Sequence, residues 1–268
     1  MSSIENWNET VRMYRQASLQ NGNHWHGEHA RWYDTWVKEN NYAEIVYPLF
    51  RPFVQGRVLD IGAGTGLFTQ YFIRDADHVD VVEPSEDMLT LLAGNLGNRK
   101  NLTFYKTTIE NFRYDQKHYD FSFAAHAFFN IMHIDTLLQK LLDHSSILGV
   151  LIGSGKPLDI FQVFRDEKLV VENRPHPPSH LDLIPVLEAC GISYDIRFIS
   201  SETKYCYQSK HELLEKIAAQ CRIKDETLAP YRQLLEPNIQ KNEQGYFVQG
   251  KREHVCLLIH KRLATFIN

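Results

Sequence analysis

Val58-Leu59-Asp60-Ile61-Gly62-Ala63-Gly64-Thr65-Gly66 decides how this chain folds. A short apolar run that ends in glycines reads as a buried strand entering a tight turn. Gly62, Gly64 and Gly66 let the backbone take positive φ and let a ligand come close. Leu67 to Arg74 then reads as a helix, whose first N–H groups are free to face that ligand.

Working outward, Val79-Asp80-Val81-Val82-Glu83 reads as a second strand. Ser85 is placed to cap a helix with Met88, Leu91 and Leu92 on its buried face. Leu102 to Tyr105 and Tyr119 to Ala125 are the third and fourth strands, Ile134 to Leu142 a helix, and Ser146 to Gly153 the fifth strand. Strands alternating with helices at this spacing predict right-handed crossovers and a mostly parallel sheet. The apolar strands Val58–Ile61 and Ile147–Ile152 fit a sheet covered on both faces.

Before this core, Trp7, Val11 and Tyr14 mark an amphipathic helix up to about Asn21. A turn follows at Asn21-Gly22-Asn23, Trp25 and Gly27 read as loop, and Tyr42 to Phe50 is a helix stopped by Pro52. After the core, Arg174-Pro175-His176-Pro177-Pro178 is a loop. His180 to Ala189 is a helix ended by Gly191, Tyr194 to Ile199 and on toward Tyr205 a sixth strand, and Ser209 caps a helix from His211 to Gln220. Gly245–Gln249 and His254–His260 read as a hairpin turning at Gly250-Lys251, its last strand antiparallel to the rest.

The fold expected is therefore α/β, a Rossmann-like, doubly wound, mostly parallel seven-stranded sheet with an antiparallel last strand and an N-terminal helical lid. Residues 1–50 are read as the lid, and residues 51–268 as one domain with a helical insertion near 209–240.

Composition bounds the function. The chain has 268 residues, 43% hydrophobic and 23% charged, which excludes a disordered or collagen-like protein. Its length supports a large core without disulfide or metal staples. With 29 Lys and Arg against 33 Asp and Glu, the net charge of -4 carries no global nucleic-acid footprint. No run approaches the ~18 apolar residues of a membrane helix, and Met1 to Asn6 lacks the pattern of a signal peptide. A cytoplasmic protein with no membrane partner is the expectation. Cys190, Cys206, Cys221 and Cys256 are scattered and read as reduced structural thiols.

Glu83 ends the second strand, where a carboxylate can accept both hydroxyls of a ribose. Ligands of doubly wound sheets sit outside the C-terminal strand ends. The glycine pattern is GxGxG, not the GxGxxG of dinucleotide sites. Asp60 lies two residues before Gly62, suits a ligand with a positive group, and would repel a pyrophosphate. A nicotinamide-dependent oxidoreductase is thereby disfavoured.

These stretches resemble the class I S-adenosylmethionine-dependent methyltransferases. Val58–Gly66 is similar to their first motif and Val79–Met88 to their second. Thr107-Thr108-Ile109-Glu110 stands at the third, and Tyr119–His126 is similar to the fourth. The resemblance implies S-adenosylmethionine as cofactor, with S-adenosylhomocysteine as product. Backbone around Gly62, Ala63 and Gly64 would hold the methionine part, with Asp60 near its ammonium, and Gly66 would be a further cofactor-binding residue. Glu83 would take the ribose hydroxyls, and Pro84 and Met88 would pack on the adenine. Thr108 and Ile109 would lie at its edge and face. The family often has an acid where Thr108 stands, and a hydroxyl accepts less strongly. Ala125 and His126 would border the methyl group.

Methyl transfer from a sulfonium gains much of its rate from alignment, which can contribute ~7–11 kcal/mol. A base is needed only when the acceptor must lose a proton. His126 is the first candidate, with an ordinary imidazole pKa of ~6.5; a wall histidine is the equal alternative. His133 and Tyr33 follow. Trp25, Trp32, Tyr33 and Trp36 are read as a cover over the cofactor or as a helix packed by its aromatic face. Trp25, Tyr33, Trp36 and Phe128 are the candidate acceptor pocket. His24, His26 and His29 have ligand-type side chains but no accompanying acid or cysteine cluster, so no metal is expected.

No Asn/Asp-Pro-Pro-Tyr/Phe follows the fourth strand, and no cysteine lies there. A small-molecule acceptor is therefore favoured over a nucleic acid. A non-catalytic S-adenosylmethionine-binding module is the alternative, as is an RNA methyltransferase. A basic strip of Arg31, Lys38, Arg165 and Arg174 would support the latter. The oligomeric state is left open.

Overall fold

The computed structural model describes residues 1–19, 25–115, 118–156, 159–169, 176–221, 223 and 227–260. The turn at Asn21-Gly22-Asn23, His24 and Arg174-Pro175 lie outside them.

The chain divides into two compact units. The first comprises Met1–Gly155, Pro175–Ile199 and His254–Asn268; the second comprises Lys156–Arg174 and Ser200–Glu253. The first opens with helices α1 (Ser3–Leu19), α2 (Gly27–Asn40) and α3 (Ala43–Phe50). There follow β1 (Arg57–Ile61), α4 (Thr69–Asp75), β2 (His78–Val82), α5 (Glu86–Leu96), β3 (Leu102–Tyr105), β4 (Tyr119–Ala125), α6 (Ile134–His144) and β5 (Ser145–Gly153). Then come α7 (Asp159–Asp166), α8 (His180–Ala189), β6 (Ser193–Tyr207), α9 (Lys210–Cys221), α10 (Leu228–Leu235), β7 (Gln240–Asn242) and β8 (Gly245–His260).

The strands form a sheet in the order β3-β2-β1-β4-β5-β8-β6, with β7 on β8. β1 to β5 pair in parallel, and β5 pairs antiparallel with β8, Leu151 opposite Cys256. The strand order reverses direction at β1 and β4. The C-terminal ends of those two strands open the crevice in which doubly wound sheets place ligands.

The sequence explains both faces of the sheet. Alternation along β4 puts Phe121 and Phe123 on one side and Ser122 and Ala124 on the other. Phe121 and Phe123 pack with Phe50, Phe68 and Phe72. A Cβ on Gly149 would meet Phe121 at 2.6 Å, so the glycine of β5 makes room for that ring. The opposite face buries Leu59, Ile61, Val82 and Ala124 with Trp7 and Val11 of α1 and the leucines of α6 and α8. At the other strand ends, buried Asp80 accepts from Arg57 Nη2 at 2.7 Å and from the Tyr119 hydroxyl at 2.8 Å, tying β2 to β1 and β4.

In the second unit, Phe161 and Phe164 of α7 pack on Tyr205 and Tyr231. The Tyr231 hydroxyl donates to the Leu214 carbonyl at 2.8 Å. Residues 209–240 contain α9 and α10.

The hairpin expected at Gly250-Lys251 is not formed. Residues 245–260 are one strand, and the turn comes earlier, where β7 meets β8 through Asn242 and Gly245. Two local features decide it. The Asn242 carboxamide accepts from the Gln244 amide at 2.9 Å. Gly245 holds φ +133, and a Cβ there would lie 2.3 Å from the Tyr207 carbonyl, so only glycine fits. The Lys251 amide meanwhile donates to Asp159 at 2.6 Å, giving that stretch a partner as extended strand. The loop expected around Gly27 is also shorter than read, since α2 begins at Gly27 itself.

Candidate functional site

β1 delivers the chain to the crevice at Ile61. The turn begins where the Gly62 amide donates to the Val82 carbonyl at 2.7 Å, and it closes where the Gly66 amide donates to the Ala63 carbonyl. Gly62, Gly64 and Gly66 take φ of +64, +58 and +92, as their residue type permits. Gly66 packs against Leu92 of α5.

Glu83 leaves the end of β2 and is 7% exposed. One carboxylate oxygen accepts from the Gly64 amide at 2.9 Å and the other from the Ser85 amide at 2.9 Å. This side chain therefore fastens the glycine turn to the β2–α5 turn. A carboxylate offers about four acceptor positions, so two remain for hydroxyl donors. Burial pushes Glu83 above the usual carboxylate range, and the two amides oppose that shift.

Asp60 is buried below the turn. It accepts from the Thr69 hydroxyl at 2.6 Å. Burial pushes its carboxyl up to about 7, against the Thr69 hydrogen bond and with a further push from Glu83. A cation arriving beside it would favour the ionised form.

The remaining sequence-derived residues of the sheet follow β2, β3 and β4. Ser85 caps α5 by accepting from the Met88 amide at 3.3 Å. Pro84 is exposed, Met88 is buried, Thr108 is half-buried and Ile109 belongs to the core. At the end of β4, Ala125 is half-buried, and a Cβ on Gly62 would lie 2.7 Å from Ala127 Cβ. His126 follows Ala125 with φ +53, uncommon for a residue with a Cβ, and its amide donates to the Leu151 carbonyl at 2.7 Å. Its ring centroid lies 6.1 Å from Tyr42 and 6.1 Å from His254, which stack on each other at 4.8 Å.

Of the pocket residues, Trp25 and Tyr33 meet edge to face at 5.2 Å, and Tyr33 lies 6.1 Å from Trp36. A Cβ on Gly64 would meet the Tyr33 ring at 3.7 Å, so α2 lies over the glycine turn. Phe128 is 2% exposed and belongs to the same core cluster as Trp7. His133 is exposed.

Sequence reasoning missed how the N-terminal helices are attached. α2 is fixed to α5 by the Ser85 hydroxyl donating to the Trp25 carbonyl (2.7 Å) and the Gly27 amide donating to Asp87 (2.8 Å). Asn95 adds hydrogen bonds to Asp34 and to the Thr65 carbonyl. α1 is fixed to the loop after β4: Trp7 Nε1 donates to the Ile131 carbonyl at 2.7 Å, Arg15 to the Asn130 carbonyl, and the His133 amide to Asn8. The signal for α2 was present, since Ala30, Asp34 and Val37 recur at helical spacing on its buried side. His254 gave no signal, because only the antiparallel return of β8 along β5 brings it near His126.

Among the described residues, no group of three or more His, Cys, Asp or Glu side chains is placed to hold a metal ion. His26 instead faces Asp87 at 3.3 Å. No described helix is long and apolar enough to cross a membrane.

Residues 58–146 match the family model of a methyltransferase domain. Among solved structures, the plantazolicin methyltransferase BpumL in complex with SAH aligns over 96% of this chain and 98% of its own, at TM-score 0.57 and 14% identity. The YcgJ protein of Bacillus subtilis aligns over 82% of this chain and 100% of its own, at TM-score 0.53 and 13% identity. No curated protein sequence matches the chain. Residues 58–146 thus carry the match to a methyltransferase domain, and the chain shares its fold with a solved methyltransferase.

Proposed function

We propose that this protein transfers a methyl group from S-adenosylmethionine to a small-molecule acceptor, with residues 1–50 as the cover of the site. One observation carries the reading: Glu83 joins the glycine turn to the β2–α5 turn at the strand-order reversal, under the aromatic side chains of α2.

The residues present fit the cofactor. Glu83 keeps acceptor positions for two ribose hydroxyls, and buried Asp60 suits a ligand carrying an ammonium. Pro84, Met88, Thr108 and Ile109 border the adenine side. When bound, S-adenosylmethionine supplies a methyl group on a sulfonium, open to in-line displacement. The protein's part is then alignment and exclusion of water. Gly62 to Gly66 and Ala125 fix the donor side, while Trp25, Tyr33 and Trp36 shut out solvent. Where the acceptor atom carries a proton, His126 takes it.

An aromatic cover and a net charge of -4 favour a small, uncharged or planar acceptor over a nucleic acid. BpumL has also been solved with a monoazolic desmethylPZN analog, in keeping with such an acceptor. Of the basic strip, Arg174 lies outside the described residues, and Lys38 donates to Asp34 and Asn95.

The test is thermal unfolding with S-adenosylmethionine, S-adenosylhomocysteine and NAD, then methyl transfer from labelled donor to a panel of heteroaromatic small molecules and to total RNA. A ligand at ~100 times its Kd adds ~2.7 kcal/mol. Stabilisation by the two adenosyl compounds and label in a small molecule are expected. Stabilisation by NAD alone, or label in RNA alone, overturns the reading.

A further inference from the structure

The fastening of α2 lies on the very turn that carries the cofactor side chains, and this has a functional consequence. Glu83 accepts the Gly64 amide with one oxygen and the Ser85 amide with the other. Ser85 passes the connection on, its hydroxyl donating to the Trp25 carbonyl at 2.7 Å. Two residues further, Asp87 accepts from the Gly27 amide at 2.8 Å and faces His26 Nδ1 at 3.3 Å. The Gly27 hydrogen bond, with His26 adding to it, holds the Asp87 carboxyl below its ordinary value. One continuous run of hydrogen bonds thus joins the glycine turn, the ribose-binding carboxylate and the first turn of α2. Trp25 stands two residues before that helix and meets Tyr33 of its second turn, whose ring covers Gly64.

We propose that Asp87 and Ser85 are positioning residues. They hold Trp25–Gly27 against α5, so that Trp25 and Tyr33 stay over the glycine turn and slow the release of the cofactor. The second half of the proposal rests on the S-adenosylmethionine reading above. The partners of the Asp87 carboxylate are the Gly27 amide and His26, so its loss acts first on the start of α2. The hydrogen bond it accepts is charge-assisted, and its loss is expected to matter on the order of tenfold.

The experiment compares Asp87→Ala with Glu86→Ala in the full chain. Both variants remove a carboxylate from the first turn of α5, so both lose the same favourable contact with the helix dipole. Glu86 pairs with Lys106 and not with α2. Amide hydrogen exchange is read across residues 25–33 without ligand, and release of S-adenosylhomocysteine is followed by stopped-flow tryptophan fluorescence. In Asp87→Ala, exchange over 25–33 and the release rate both rise on the order of tenfold, while Glu86→Ala stays within about twofold of the parent. Equal exchange in the two variants overturns the proposal. So does faster exchange with an unchanged release rate. If exchange over 25–33 rises in Asp87→Ala alone and yet the parent protein binds no S-adenosylhomocysteine, the cofactor reading fails and the fastening stands.

Discussion

Gly62 and Ala127 meet so closely that a Cβ on Gly62 would lie 2.7 Å from the Cβ of Ala127. The first glycine of the motif therefore serves the joint between the turn after β1 and the turn after β4. Gly64 differs: a Cβ there meets only the Tyr33 ring, at an ordinary 3.7 Å. Both positions have positive φ, which costs a residue with a Cβ ~1–2 kcal/mol. Overpacking adds ~1–3 kcal/mol at Gly62 alone. Gly62→Ala should lose about 3 kcal/mol by urea unfolding and Gly64→Ala no more than about 2 kcal/mol. Equal losses would mean that the Ala127 turn gives way freely.

Much of the parallel core was legible because its signals are local. Buried parallel strands announce themselves as apolar runs, and Leu102–Tyr105 and Tyr119–Ala125 match the observed strands at both ends. The cap at Ser85 was legible for the same reason, as one side chain and one helix start. The errors lie where the deciding contact is distant in sequence. Gly250-Lys251 looks like a turn until Asp159, ninety-two positions away, takes the Lys251 amide. His126 stood out in the sequence, but His254 beside it could not, since its place depends on the register of β8 against β5. The glycine motif marked the turn after β1, while the hydrogen bonds of Trp25, Gly27 and Asn95 around it leave no sequence pattern.

Asp60 should make stability depend on pH in an unusual direction. Its carboxyl titrates at about 7 in the fold and near ~3.9 in an unfolded chain. The folded protein thus keeps a proton that the unfolded chain gives up, and this contribution to stability is lost as pH rises from about 4 to about 7. Asn cannot titrate and still accepts from Thr69. Asp60→Asn should therefore gain in melting temperature relative to the parent at pH 8 and gain less at pH 5. A constant difference between the two pH values would show that Asp60 is already ionised throughout. Binding of an ammonium ligand by the parent at pH 7 should also release protons, measurable by titration calorimetry in two buffers of different ionisation enthalpy. Asp60→Asn should release fewer.

Trp7 is fully buried, and its indole N–H donates to the Ile131 carbonyl at 2.7 Å, clamping α1 to the loop after β4. Trp7→Phe keeps an aromatic ring in the core but strands that carbonyl. A buried acceptor left without a partner costs ~1–3 kcal/mol. Urea unfolding should show a loss in that range, and hydrogen exchange should rise over residues 128–133 before it rises elsewhere. A uniform rise along the chain would place the role of Trp7 in general packing.

Glu83 gives the sharpest test of the cofactor placement, because its structural duty and its proposed binding duty can be separated. Glu83→Ala removes the acceptor of the Gly64 and Ser85 amides, so some stability is lost whatever the ligand. A drop in affinity alone would not distinguish a loosened turn from a lost ribose contact. A cycle does: adenosine and 2′,3′-dideoxyadenosine are each measured against the parent and Glu83→Ala. A loosened turn weakens both compounds equally. A lost ribose contact weakens adenosine alone. Two hydrogen bonds to a charged acceptor contribute at least about 3 kcal/mol together, so the parent should prefer adenosine by about 100-fold. In Glu83→Ala that preference should collapse to within about threefold, as only solvation differences remain. A preference that survives the substitution would move the ribose away from Glu83 and leave this carboxylate the single task of joining two turns.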